Sequence, residues 1–217
     1  MLTKLKDALD CLSSLLFPDD TELLKNLEKL RPEPHIKKLA NDKIIYIFDY
    51  RNKHARRAIL KVKSYGAREF AIFFSNALCD LVLDIISENQ IWNKEKIIIT
   101  PVPLHKSKLK KRGFNQNELL LEKCKKNPET MNISYRNDIL YRKKKTKEQK
   151  NLNKKERFEN MRDAFTCKNI SRNENALVVI VDDISTSGAS LLSAKQSLKK
   201  ACPSCKFLLV AVLGSEL

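Results

Sequence analysis

Apolar residues recur at helical spacing near the start of the chain, through Leu5, Leu9, Leu12, Leu15 and Leu16 and again through Leu23, Leu24, Leu27 and Leu30. That spacing predicts helix over residues 4–31, broken at Pro18, with Asp20 or Thr21 as N-cap of the second piece. Pro32 and Pro34 end the region, so a helical N-terminal extension over 1–34 is expected to precede a main domain over 35–217. In that domain short β-branched runs alternate with amphipathic stretches. Residues 44–48 read as a strand, 49–54 as a basic turn and 56–62 as a short helix. Residues 63–66 (Lys-Ser-Tyr-Gly) interrupt it, and a long helix over 69–86 buries Phe70, Phe73, Phe74, Leu78, Leu81 and Ile85. A strand at 97–103, stopped by two prolines, leads into a basic loop over 104–117 and a helix over 118–126. Short strands are expected at 139–141 and 164–165, with a weak helix over 152–161. A fully apolar strand at 177–181, a helix over 191–199 and a last strand at 207–213 close the pattern. The alternation predicts an α/β fold with a central, mostly parallel sheet flanked by helices and right-handed crossovers.

Composition narrows this picture. At 217 residues, 42% hydrophobic and 31% charged, the chain suits one large domain, or a domain with a small appendage, around a packed core. No apolar run is read as approaching the roughly 20 residues that span a bilayer, and Asp7 and Asp10 interrupt the N-terminal pattern, unlike a signal peptide. A cytoplasmic location is the expectation. Cys11, Cys79, Cys124 and Cys167 lie singly in apolar or amphipathic surroundings, as buried reduced thiols do. Cys202 and Cys205 form a lone C-P-S-C. A zinc site needs about four ligands and no second pair or His cluster accompanies this one. A helix-to-strand loop is expected there, with zinc or redox use the rarer alternative.

Charge changes the picture more. The net charge is +16, and residues 101–160 hold 18 Lys and Arg against 7 Asp and Glu, a net of +11. For the total, a lysine-rich solvated surface is an equal alternative to a polyanionic partner. The clustering points to a polyanionic partner, either nucleic acid or a ligand with several phosphates.

The chemistry gathers at residues 177–190, LVVIVDDISTSGAS. The strand is followed by Asp182 and Asp183 where it is expected to end, then by Ser185, Thr186, Ser187, Gly188, Ala189 and Ser190, then by a helix. Helix N-terminal N–H groups favour a phosphate, and carboxylates at a strand's C-terminal end accept from hydroxyls. Together these make a site for a phosphorylated sugar, against the plain reading of an acidic turn with a serine cap.

Three further patches stand beside this loop: Pro101-Val102-Pro103-Leu104-His105 with Lys108 and Arg112-Gly113-Phe114-Asn115-Gln116; Arg142, Thr146, Gln149, Leu152, Arg157 and Asn160; and Lys63-x-x-Gly66 before the long helix. With the acid-pair loop, which matches the phosphoribosyl-pyrophosphate (PRPP) motif of type I phosphoribosyltransferases, the set resembles the ComF family over roughly residues 44–215. PVPLH…RGFNQ is its most specific part. The resemblance implies a type I phosphoribosyltransferase-like fold and an association with DNA uptake in natural competence. By that resemblance Asp182 and Asp183 accept from the ribose hydroxyls, and Ser185 to Ser190 cradle the 5′-phosphate. Pro103, Leu104, His105, Arg112 and Gly113 hold the pyrophosphate, while Arg142, Thr146, Gln149 and Arg157 belong to a mobile hood. Mg²⁺ is bridged by PRPP oxygens, reaching Asp182 or Asp183 through water, and no zinc or protein nucleophile is implied. Arg112 is the strongest pyrophosphate candidate, because a guanidinium binds two oxygens at once. His105 either adds a hydrogen bond or fixes the loop; Asn115 and Gln116 either touch ligand or cap the next helix.

This chain departs from the family in two ways. Many members begin with a four-cysteine zinc ribbon, where this chain has only Cys11, so a helical extension replaces the metal module in this reading. The usual T-T-G-x-T loop appears as Thr186-Ser187-Gly188-Ala189-Ser190, which keeps the hydroxyls. The expected function is Mg²⁺-dependent phosphoribosyl transfer from PRPP to an unidentified acceptor, in a competence-associated protein whose partners include other competence proteins. The rivals are a single-stranded-DNA-binding competence protein and a PRPP-sensing regulator. Oligomeric state is not legible.

Overall fold

A computed structural model describes residues 18–39, 41–88, 96–126, 133–143 and 154–215. Helix α1 (Pro18–Glu28) begins on the proline that was expected to precede it. A proline is tolerated in the first helical turn, where its missing N–H has no partner. Asp20 and Thr21 therefore sit inside the helix and not at its cap. The predicted helical piece over residues 4–17 lies outside the described residues.

Among the described residues the main sheet has six strands in the order β1-β2-β8-β7-β3-β4. They are β1 (His35–Leu39), β2 (Asp42–Asp49), β3 (Lys96–Pro101), β4 (Ile133–Tyr135), β7 (Ala176–Ser185) and β8 (Lys206–Gly214). Only β1 runs antiparallel to its neighbour; the other pairings are parallel. The predicted mixed α/β architecture with a mostly parallel central sheet is thus observed. Strands β1 and β4 were not foreseen. The first is inverted in its patterning, with Ile36 outward and Lys37 buried, and the second is only three residues long. The predicted strands near 139–141 and 164–165 are also relocated: β5 (Leu140–Arg142) and β6 (Phe165–Cys167) form a separate antiparallel ribbon.

Helices cover both faces of the sheet. One apolar cluster joins Leu23 and Leu27 of α1 to α2 (Lys53–Tyr65), α3 (Arg68–Glu88) and α6 (Glu122–Lys126), over Val179 and Val181 of β7. The other joins α8 (Ala189–Ala201), Met161 of α7 (Lys154–Met161) and the ribbon, over Val178 and Ile180. Within α3 the buried side is Phe70, Phe74, Leu78, Val82 and Ile86, whereas Phe73, Leu81 and Ile85 are half-buried. By length and composition α3 is apolar enough to cross a membrane, contrary to the reading that no run comes near; half of that window is buried in the fold. The predicted basic loop over 104–117 is corrected more strongly. It contains helix α4 (Lys106–Arg112), capped by His105 and closed by Gly113 at φ 84°, and the start of α5 (Gln116–Leu119). No residue of α4 is buried, so hydrophobic periodicity could not reveal it.

Cys79 and Cys124 are buried free thiols and Cys167 is a half-buried one, as expected. Cys202 and Cys205 do lie between α8 and β8, but they are joined as a disulfide.

Candidate functional site

Register places the acid pair at a step in the sheet. Strand β3 pairs with β7 only as far as Pro101 opposite Val181, whereas β8 stays paired with β7 to Gly214 opposite Ser185. Asp182 and Asp183 therefore lie within β7 and not past its end, with one neighbouring strand already gone. Consecutive strand residues face opposite ways, and the contacts follow that rule. Asp182 lines a concavity with Ile184 to Leu191. Its Oδ1 accepts from Asn117 Nδ2 at 2.9 Å and from the Asp183 N–H at 3.0 Å. Asp183 accepts from Lys63 Nζ at 3.1 Å, Gln116 Nε2 at 3.0 Å and the Ile184 N–H at 2.8 Å.

The partners are delivered by local rules. Asn52 caps α2 with its side chain, and Gly66 ends it at φ 67°. A Cβ at Gly66 would stand 3.1 Å from the Phe114 ring, so a glycine here also lets the end of α2 close on the 113–117 segment. That approach brings Lys63 to Asp183. Asn115 caps α5, accepting from the Asn117 N–H at 3.2 Å. Of the two roles left open for it, capping is the one observed. Gln116 does otherwise, binding Asp183 while its carbonyl accepts from Arg112 Nη1. Asn117 ties Asp182 to the Val102 carbonyl at 2.9 Å.

Electrostatics separate the two acids. Burial, reinforced by the Asp183 charge, pushes the Asp182 carboxyl up to about 7. Burial also opposes ionisation of Asp183, but the Lys63 ammonium and the hydrogen bonds to it outweigh that and hold this carboxyl below the usual range. Reciprocally, Asp183 holds the Lys63 ammonium above its ordinary value in spite of burial.

The loop after the acids is shaped by Gly188, at φ 79°, where a Cβ would lie 2.4 Å from Leu39 Cδ1 and 2.7 Å from Ile44 Cδ1. Any other residue would have to displace those two methyls, in a backbone conformation that disfavours side chains. Gly188 is the N-cap residue of α8, which has no side-chain cap, so backbone N–H groups open onto the concavity. Ser187 Oγ accepts from the Ala189 N–H at 3.4 Å. Arg157 Nη1 donates to Thr186 Oγ1 at 2.9 Å.

The remaining predicted residues are placed as follows. Pro103 and Leu104 are half-buried between β3 and α4. His105 accepts from the Ser107 N–H at 3.2 Å as the cap of α4, and Gly113 ends that helix. Arg142 packs its guanidinium over Phe165 and donates to Met161 Sδ at 3.3 Å, and its backbone bridges that of His105. Thr146 and Gln149 lie outside the described residues, as does Leu152. Sequence reasoning missed Asn117 and Lys37. The latter donates to the Thr186 carbonyl and, at 2.9 Å, to the Ser215 carbonyl.

No protein-family model matches the chain. Over 121 residues it is 35% identical to Competence protein F of Haemophilus influenzae, a stretch that covers 55% of this chain and 50% of that protein. This match bears out the ComF resemblance carried by the PVPLH, RGFNQ and acid-pair motifs. The chain spans about half the length of that relative.

Proposed function

We propose that the concavity at the C-terminal end of β7 binds PRPP and that the chain transfers its phosphoribosyl group to an acceptor, in a competence-associated role suggested by the name of its relative. One observation carries the reading. Asp182, the N-terminus of α8 with a glycine at its N-cap, and the Ser185 to Ser190 loop line one concavity at the step of a mostly parallel sheet, where a type I phosphoribosyltransferase-like fold would seat its ligand.

In this reading the loop N–H groups and hydroxyls hold the 5′-phosphate, and Asp182 accepts from the ribose hydroxyls. Arg112 stands on the pyrophosphate side, tied through Gln116 to Asp183. Among the described residues no group of three or more His, Cys, Asp or Glu gathers as a metal site. With Asp183 engaged by Lys63 and Gln116, the protein offers chiefly Asp182. Asp182 is the carboxylate that would face an Mg²⁺ bound together with PRPP. Such an ion supplies charge neutralisation of the departing pyrophosphate. The acceptor forms its bond to the anomeric carbon as the bond to pyrophosphate breaks, and the protein's part is to orient the two.

Calorimetric titration with PRPP, with and without Mg²⁺, tests the reading on the wild type and Asp182→Ala. Saturable binding that weakens at least about tenfold in the variant is expected. A folded wild type that takes up no PRPP overturns it. Pyrophosphate release in the presence of candidate bases distinguishes transfer from a sensor that binds without turnover.

A second reading, single-stranded DNA binding, is favoured by α4, whose Lys106, Lys110 and Lys111 face solvent. It requires affinity for an oligonucleotide that falls steeply with salt and with charge reversal of these lysines.

A further inference from the structure

Strand β1 reads H-I-K-K-L, and its apolar and charged positions are exchanged relative to an ordinary edge strand. Ile36 is 51% exposed and Lys37 is 5% exposed. An inward charge can serve to keep an edge from pairing with another chain. Here, however, the ammonium has a defined destination. It donates to the Thr186 carbonyl, 149 positions away in sequence and inside the loop that follows the acid pair, and to the Ser215 carbonyl just after β8. The rest of β1 serves the same loop, since Leu39 together with Ile44 forms the seat against which Gly188 is pressed.

Pinning that carbonyl has a stereochemical consequence. A trans peptide points its C=O and the following N–H in opposite directions, and the described chain holds no cis bond. With the Thr186 oxygen drawn to Lys37, the Ser187 N–H is turned away from β1. A second cation reaches the same residue, because Arg157 holds the Thr186 hydroxyl. An independent feature of the concavity points to an occupant with acceptor atoms. Ser185 is 3% exposed and lines it, and its Oγ is buried with no hydrogen-bond partner among the described residues. A buried hydroxyl without a partner is costly, and a ligand oxygen would satisfy it.

We propose that Lys37 is a positioning residue for this loop: it pins the Thr186 carbonyl, aims the Ser187 N–H at the ligand, and supplies fixed positive charge that selects a phosphomonoester dianion over a singly charged anion of the same shape. The inference rests on the phosphate reading of the loop and names a determinant outside the strand, acid-pair and helix motif. An ammonium held by carbonyls in a low-dielectric setting acts on a ligand charge in this loop more strongly than a solvated one would.

The experiment compares ribose 5-phosphate with ribose 5-sulfate, an isosteric monoanion, by calorimetry at one pH, about 8, where the phosphate is doubly charged. The wild type is expected to prefer the phosphate. Lys37→Met is expected to weaken phosphate binding about tenfold and sulfate binding less, closing the gap. A loop merely disordered by the substitution would lose both ligands alike, and that result overturns the proposal, as does unchanged binding. Lys37→Arg keeps the charge and is expected to keep the preference; its loss there counts equally against the proposal and decides the matter should Lys37→Met not fold. If the wild type binds neither ligand, the phosphate reading of the loop itself falls, which is distinct from a wild type that binds with Lys37 playing no part.

Discussion

Asp182 and Asp183 share a side chain, a strand and a peptide bond, and the pleat of β7 sends them to different worlds. Asp182 lies on the face of Val178 and Ile180, under α8, beside the Ser185 to Ser190 concavity; its side chain meets an amide and a backbone N–H. Asp183 lies on the face of Val179 and Val181 and meets a lysine and an amide from elements packed on that side. Both lose nearly all their hydration. The difference is compensation: the hydrogen-bonded Lys63 ammonium offsets that loss for Asp183, whereas Asp182 feels the same cation only at a distance and its neighbour's charge adds to the penalty. A doubled acid in sequence therefore need not be a doubled acid in function. One carboxylate closes an ion pair that holds α2 to the sheet, and the other faces the concavity.

The most damaging way to break this contrast is to remove the cation. Lys63→Met leaves Asp183 buried with only neutral partners, at an expected cost of about 2–3 kcal/mol in urea unfolding, below that of a fully enclosed pair. The discount follows from the Lys63 side chain being 35% exposed. Adding Asp183→Asn should recover much of the loss; a single variant as stable as wild type would show that the pair contributes nothing. A smaller effect should appear in the pH dependence. Because burial pushes the folded Asp182 carboxyl up to about 7 from an ordinary 3.8, the native state keeps a proton that the unfolded chain has released across that window. Its contribution to stability therefore falls as pH rises through the window, by an expected roughly 2 kcal/mol between about pH 5 and about pH 7. Asp183 acts in the opposite sense: its contribution is present above the ordinary carboxylate range and lost as pH falls through its depressed value. Asp182→Asn should flatten the decline toward neutrality and leave the acid limb, and urea melts across the range would read both. The smallest effect is expected at Gln116. Gln116→Ala removes a buried link between Arg112 and Asp183 at about 1 kcal/mol or less, and unfolding melts set beside Lys63→Met would rank the amide against the ion pair.

Much of this frame was legible along the chain. The apolar run before Asp182, the long helix α3 and the small-residue loop opening α8 all follow from periodicity and residue type acting within a few positions. The failures have specific causes. Helix α4 buries nothing, so it is built from local propensity, a histidine cap and a terminating glycine, and leaves no apolar stripe. Strand β1 puts its lysine inside and its isoleucine outside, the reverse of what burial usually selects. The site behaved likewise. Asp182, Asp183 and the loop were found as neighbours in sequence, whereas Asn117 and Lys37 come from distant segments and carry no local mark of their role.

What the sequence alone determined is therefore what depends on short range. It set the alternation of most strands and helices, the acid pair near a parallel strand's C-terminal end, and a loop rich in hydroxyls around a glycine. The tertiary structure decided which carboxylate receives a cation, which amide turns inward, and that a lysine from the antiparallel edge reaches the loop. Those outcomes depend on strand order and register, which bring Lys37 beside β7's loop and the end of α2 beside Asp183. A side chain's identity states what it can bind; only the packing of remote segments states what it meets.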